Sequence, residues 1–122
     1  MRANEQEITL TLDMAWDLCL NQQWDWIKAE IEAGSLLSVE GLKGQWCREN
    51  GFDGVHGYCF FCEYAVHQHS RIAPRRCVNC PGRLVDPEFR CCNDEYHYEY
   101  KPLALHAELV RLNKIRLELK EQ

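Results

Sequence analysis

The sequence predicts an α+β protein: helices at the N- and C-terminal ends packed on a central zinc-knuckle lobe with a short hairpin. Three observations lead there. Apolar residues recur at helical spacing near both ends of the 122 residues. Residues 51–93 break that period with Gly, Pro and most of the eight cysteines. Glu95 to Lys101 then alternates, with Tyr96, Tyr98 and Tyr100 on one side and Glu95, His97, Glu99 and Lys101 on the other, which is a strand signal.

Each element has its own warrant. Thr11 is a plausible N-cap, and Asp13 stands in the first turn, where the helix dipole favours a carboxylate. Leu18, Trp24, Ile27 and Ile31 follow near helical spacing until Gly34 and Ser35 stop the helix. Asn21 and its neighbouring glutamines mark a possible break. Ser38 opens a second helix through Val39, Leu42 and Trp46, which Asn50-Gly51 ends. Pro102 fits the first position of a final helix. Leu105, Leu109, Leu112 and Leu119 lie along one stripe of it, interrupted by Arg116. With no repeat or Gly/Ser linker in view, residues 1–122 read as one domain: helical over 11–50, a zinc lobe over 51–101, and a C-terminal helix over 102–120.

Composition narrows the function. The 46% hydrophobic and 27% charged content is that of an ordinary folded chain. There is no apolar run long enough to span a membrane, and the polar start MRANEQEITL lacks the apolar core of an export signal. A formal net charge of −5 weakens a reading as a general nucleic-acid coat. The charge is uneven, however. Residues 1–33 carry seven acidic and two basic side chains, whereas residues 71–93 carry five arginines against Asp86 and Glu88. Eight cysteines without an export signal point to metal binding in a reducing cytoplasm before disulfides.

The metal chemistry is specific. Cys59-Phe60-Phe61-Cys62 and Cys77-Val78-Asn79-Cys80 are two Cys-x2-Cys knuckles with fourteen residues between them. Two thiolates three positions apart on a tight turn can reach one ion while the turn's amides stabilise their charge. Two such turns close a tetrahedron around Zn²⁺, leaving no open position for water, so Cys59, Cys62, Cys77 and Cys80 read as a structural site. Disulfides and an iron–sulfur cluster are the competing uses of four such cysteines. Cys91 or Cys92 can replace Cys77 across the Pro81-Gly82 turn, or join His67, His69 or His97 in a second site. The plainer reading makes them packing residues or spectators, with Cys19 and Cys47 in the core and the histidines in solvated loops.

Enzyme signatures are missing. The Asp-His pair of a His-metal-finger nuclease, the His-x-Glu ahead of Pro-Cys-x2-Cys of a zinc deaminase, the nucleophile elbow, the phosphate loop and the dinucleotide fingerprint are all absent from the sequence. The expectation is a non-enzyme that binds something. Trp24 and Trp26 cannot share one helix face, so one of them should be exposed or cap the zinc lobe. Tryptophan and arginine are hot-spot residues, which makes Trp24, Trp26, Arg71, Arg75 and Arg76 candidate partner-binding residues. The same arginines, with Arg83, Arg90 and nearby phenylalanines, compose a nucleic-acid surface as the alternative.

Several runs together resemble a family. They are Ala15-Trp16-Asp17-Leu18-Cys19-Leu20, Gln23-Trp24-Asp25-Trp26-Ile27, Trp46-Cys47, the two knuckles with Glu63-Tyr64 and Pro81-Gly82 after them, Cys91-Cys92, and Tyr96-His97-Tyr98. From about residue 12 to 115 the chain resembles small uncharacterised cysteine-rich zinc-knuckle proteins encoded by tailed bacteriophages. The resemblance implies residence in the bacterial host cytoplasm. It also implies an accessory role in which the protein binds, and so inhibits or redirects, a bacterial host or defence protein.

Overall fold

A computed structural model describes residues 10–55, 58–66 and 79–121. The first helix begins where the sequence predicts: the Thr11 hydroxyl accepts the Met14 amide at 3.1 Å, with Asp13 in the first turn. Helix α1 (Leu12–Trp16) runs without a break in helical backbone into a π-helical stretch (Asp17–Trp24) and then α2 (Asp25–Glu32). The predicted break at Asn21 and the glutamines is therefore a widening of the helix. The Asp25 amide reaches back five residues to the Leu20 carbonyl. On the outer face Asp17 accepts from Asn21 at 3.0 Å and from Gln22, five residues on, at 2.7 Å. On the inner face the wider turn buries Cys19, Leu20, Gln23 and Trp24 together. Gly34, at φ +91°, ends the rod.

Helix α3 (Val39–Glu49) is capped by Ser38, whose hydroxyl accepts the Gly41 amide at 3.1 Å, and Gly51 follows it at φ +82°. Two short helices come next, α4 (Phe60–Val66) and α5 (Pro81–Val85). The last, α6 (Pro102–Lys120), carries Pro102 at its start as predicted and buries Leu105, Leu109 and Leu112. Leu119, assigned to the same stripe, is exposed.

Helix α6 lies antiparallel to the first rod. Polar contacts mark both ends of the pairing: Lys120 and Arg116 on Asp13, and His106 on Asp25 at 2.6 Å. Arg116 interrupts the leucine stripe because its guanidinium lies over the Trp16 ring, 5.3 Å from the centroid, while it pairs with Asp13. Helices α4 and α5 pack on each other, α4 also on α1, and α5 on α6. Trp16 meets Phe61 edge-on at 4.8 Å, and Phe60 wedges against Trp46 and Phe52.

The fold class is corrected by this arrangement. Among the described residues there are helices and turns and no strand, so the protein is helical rather than α+β, and the hairpin is absent from them. The alternating segment that predicted it is a chain of turns. Asn93 Oδ1 accepts the Glu95 amide, His97 Nδ1 accepts the Glu99 amide, and the Tyr98 amide donates to the Cys91 carbonyl. A strand needs a partner edge for its amides, and these amides are taken up locally. The tyrosines serve separate contacts: Tyr96 stacks on Phe89, and the Tyr98 hydroxyl donates to Glu40 at 3.1 Å. The central segment also contributes apolar core, through Val55, Phe60, Phe61, Ala65 and Phe89.

Candidate metal centre

Local structure delivers Cys59 to the interior. Tyr58 sits in the left-handed region at φ 53°, uncommon for an aromatic residue and worth about 1–3 kcal/mol of strain. Gln23, fully buried, holds it there by donating to the Tyr58 carbonyl at 3.0 Å. Gly44 leaves room for the ring, since a Cβ there would come within 3.2 Å of Tyr58 Cε2. The π-helical turn that points Gln23 inward thus helps set the residue preceding the first knuckle cysteine.

Cys59 and Cys80 hold matching positions. Each cysteine stands immediately before a short helix, α4 or α5. The Cys62 amide donates to the Cys59 sulfur at 3.4 Å, whereas the Arg83 amide donates to the Cys80 carbonyl at 2.8 Å. The nearby amides of Gly82 and Arg83 favour the Cys80 thiolate. Amides aimed at sulfur favour the thiolate, the form that binds a metal.

Thiols from three segments share a wall. A cavity of about 190 Å³ is lined by Cys19, Cys59, Cys62 and Cys91, with Lys43 and Glu40 on one side and Trp24, Phe61 and Phe89 among its apolar walls. An adjoining space of about 90 Å³ is lined by Cys59, Cys62, Cys80, Cys91 and Cys92, with Arg83 and Arg90 beside them. No three His, Cys, Asp or Glu side chains among the described residues stand as a ready metal cluster. Cys77 lies outside the described residues. The donors that line these spaces, soft thiols with an amide on the Cys59 sulfur, fit Zn²⁺ chemically.

The electrostatics are those of a thiol cluster. A hydrogen bond from the Cys62 thiol, aided by Lys43 and the Cys62 and Phe61 amides, brings Cys59 from 9.0 down to about 6 in spite of its burial. The same bond, with the Cys59 charge and burial, pushes Cys62 well up. Burial, then the Cys59 charge, raises Cys80 to about 12 against the pull of its amides. Burial draws Lys43 down, but Cys59, Glu40 and Cys62 outweigh it and leave the amine above its ordinary 10.5.

The predicted site residues fare differently. Cys59, Cys62 and Cys80 face neighbouring cavities. Arg71, Arg75, Arg76, His67 and His69 lie outside the described residues. Trp24 is 4% exposed and forms a wall of the cysteine cavity, whereas Trp26 is half-buried at the edge of the core. His97 stacks between Tyr98 and Tyr100. Sequence reasoning missed Lys43 and Gln23, two polar residues facing inward, and the place of Cys19 in the cavity wall. The break signal at Asn21–Gln23 was the trace of the π-helical turn that brings Cys19 and Gln23 inside.

Comparison with protein-family models, with curated proteins and with solved structures finds no match. No helix among the described residues is long and apolar enough to cross a membrane.

Proposed function

We propose that this protein is a non-enzymatic, zinc-stabilised binding module of the bacterial host cytoplasm, which inhibits or redirects a host or defence protein. The observation that carries the metal half is that Cys59 and Cys80, each immediately before a short helix, line one space with Cys62 and Cys91. Zn²⁺ is held by Cys59, Cys62 and Cys80, with Cys77 or Cys91 as the fourth thiolate. Four thiolates leave no site for substrate or water, so the ion is structural.

Protein binding is supported by the surface. Leu36 is fully exposed, and Leu103, Val110 and Leu117 are exposed at seven-residue intervals along α6. Such a stripe suits another protein better than a phosphate backbone. The resemblance to phage-encoded proteins supplies the bacterial setting. The alternative, a zinc-knuckle nucleic-acid binder, draws on Arg83 and Arg90 beside the thiols and on Arg71, Arg75 and Arg76.

Two measurements test the reading. Native mass with metal analysis, on protein purified without added metal, should give one zinc per chain, lost on acidification. Metal-free protein lighter by two mass units per cysteine pair would instead mean a disulfide scaffold. Charge reversal at Arg75 and Arg76 should leave binding intact for a protein partner seated on another face, such as the α6 stripe, whereas loss of a steeply salt-dependent affinity for nucleic acid would favour the alternative.

A further inference from the structure

Lys43 is a charged residue on the buried face of α3, between Leu42 and Gly44 and one turn before Trp46 and Cys47, all of them buried. It is 7% exposed. Among the described residues its ammonium has one carboxylate near it, Glu40 Oε1 at 3.8 Å, beyond a close ion-pair distance, and that side chain is half in solvent and accepts the Tyr98 hydroxyl on its other oxygen. The Tyr98 ring lies 4.9 Å from the ammonium. On its inner side Lys43 lines the 190 Å³ cavity together with Cys59, Cys62 and Cys91. The other described residues of that wall are thiol and apolar, apart from Glu40 and the Tyr98 phenol.

A buried ammonium facing such a wall is unfavourable unless an anion stands opposite it. The chemistry of the site supplies one. Zn²⁺ bound by four thiolates carries a net charge of −2, and in a poorly solvated interior that charge also needs compensation. Two groups that would each be expensive alone are complementary together. We propose that Lys43 is the built-in counter-cation of the thiolate centre, a positioning residue that keeps the sulfurs ionised on the metal and lowers their reactivity toward electrophiles. Gln23 supports the placement by donating to the Lys43 carbonyl at 3.4 Å, which ties this turn of α3 to the π-helical stretch. The inference rests on the zinc reading above.

The test uses the full chain loaded with zinc, as wild type, Lys43→Met, Lys43→Gln and Lys43→Arg. Removing an outer-shell partner of a metal ligand lowers metal affinity about 10–100-fold. In competition with a chromophoric chelator, both neutral variants should lose about tenfold or more in zinc affinity, while Lys43→Arg keeps most of it. With Co²⁺ in place of zinc, the sulfur-to-metal charge-transfer band should move in the neutral variants and return in Lys43→Arg. Alkylation of the metal-bound thiolates by iodoacetamide should be faster without the cation. A merely structural role would alter melting without moving the cobalt band or being rescued by arginine.

If the neutral variants bind zinc as tightly as wild type with an unshifted band, Lys43 is not the counter-cation, although the zinc centre stands. If wild type itself binds no zinc, the metal reading falls and takes this proposal with it. Should both neutral variants fail to fold, Glu40→Gln decides: with Lys43 left to the thiolates alone, zinc affinity should rise, and an unchanged or weaker affinity overturns the proposal.

Discussion

The paired long helices and the cysteine lobe are built on different principles. The rod formed by α1, the π-helical stretch and α2 lies along the 19 residues of α6, with leucines between them and polar clamps at both ends. The lobe has α4, seven residues long, and α5, five, both too short to persist alone in water. Each begins beside a cysteine, and aromatic rings seat α4: Phe61 on Trp16 of the rod, and Phe60 on Trp46 of α3 and on Phe52. Periodicity organises the first region. In the second, local turns around sulfur organise the chain, and burial of a few large side chains joins it to the rest. A small protein can therefore combine a conventional helical pair with a segment whose own helices would not survive without outside support.

The largest effect expected from breaking this division is metal removal. Zinc binding contributes about 10–16 kcal/mol of apparent folding free energy in zinc-finger peptides. Cys62→Ser, or chelation of the wild type, should unfold residues 58–66 and 79–98 while the rod and α6 keep their helicity. Hydrogen exchange resolved by segment measures this. Retention of one zinc and a native melting curve by Cys62→Ser would remove the cysteine assignment. A single transition over the whole chain would erase the distinction between the regions.

Next in size is the aromatic seam. Phe60 is fully buried, and Phe60→Ala should destabilise the protein by about 3–5 kcal/mol in denaturant unfolding. A loss under 1 kcal/mol would mean that the lobe is not docked through this ring.

A sharper probe lies inside the lobe. A Cβ on Gly82 would stand 2.5 Å from Phe89 Cδ2, and Phe89 is buried and stacked on Tyr96. Gly82→Ala should cost about 1–3 kcal/mol through overpacking, partly recovered by Phe89→Leu in the same chain. Thermal melts of the single and double variants compare the two, and additive losses would show that the close approach is not the cause.

The smallest effect belongs to the clamp of the helical pair. Hydrogen bonds from Lys120 and Arg116 hold the Asp13 carboxyl below its ordinary 3.8. A depressed folded-state pKa contributes stability above the unfolded value and loses it as pH falls through the folded one. The melting difference between wild type and Asp13→Asn should therefore be present at neutral pH and fade as pH falls past the ordinary 3.8 and through the lowered folded-state value. Loss of the proposed zinc in acid would lower both proteins together, so their difference is the readout, and a difference constant across that range would show that the clamp does not form.

Where local chemistry decides structure, the chain is readable without coordinates. Thr11, Ser38, Gly34, Gly51 and Pro102 mark their helix ends through caps, positive φ and a missing N–H, and all of these act within a few residues. The Cys-x2-Cys spacing announces thiol turns for the same reason. Alternation at Glu95–Lys101 misled because period two shows where side chains point and not whether a neighbouring strand exists; here the amides close turns on Asn93, His97 and Cys91. Trp24, Trp26 and Arg116 were ambiguous because exposure depends on what packs over a helix face.

By itself the sequence determined the helix ends and the cysteine-rich character of the centre, since caps, prolines and knuckle spacings act locally. The tertiary structure alone decided that α4 is seated by Phe60 and Phe61, and that Arg116 covers Trp16. It also decided that Cys19, Cys91 and Lys43 meet Cys59 in one cavity. Those are contacts between residues tens of positions apart, and their free energy exists only once the helices have packed.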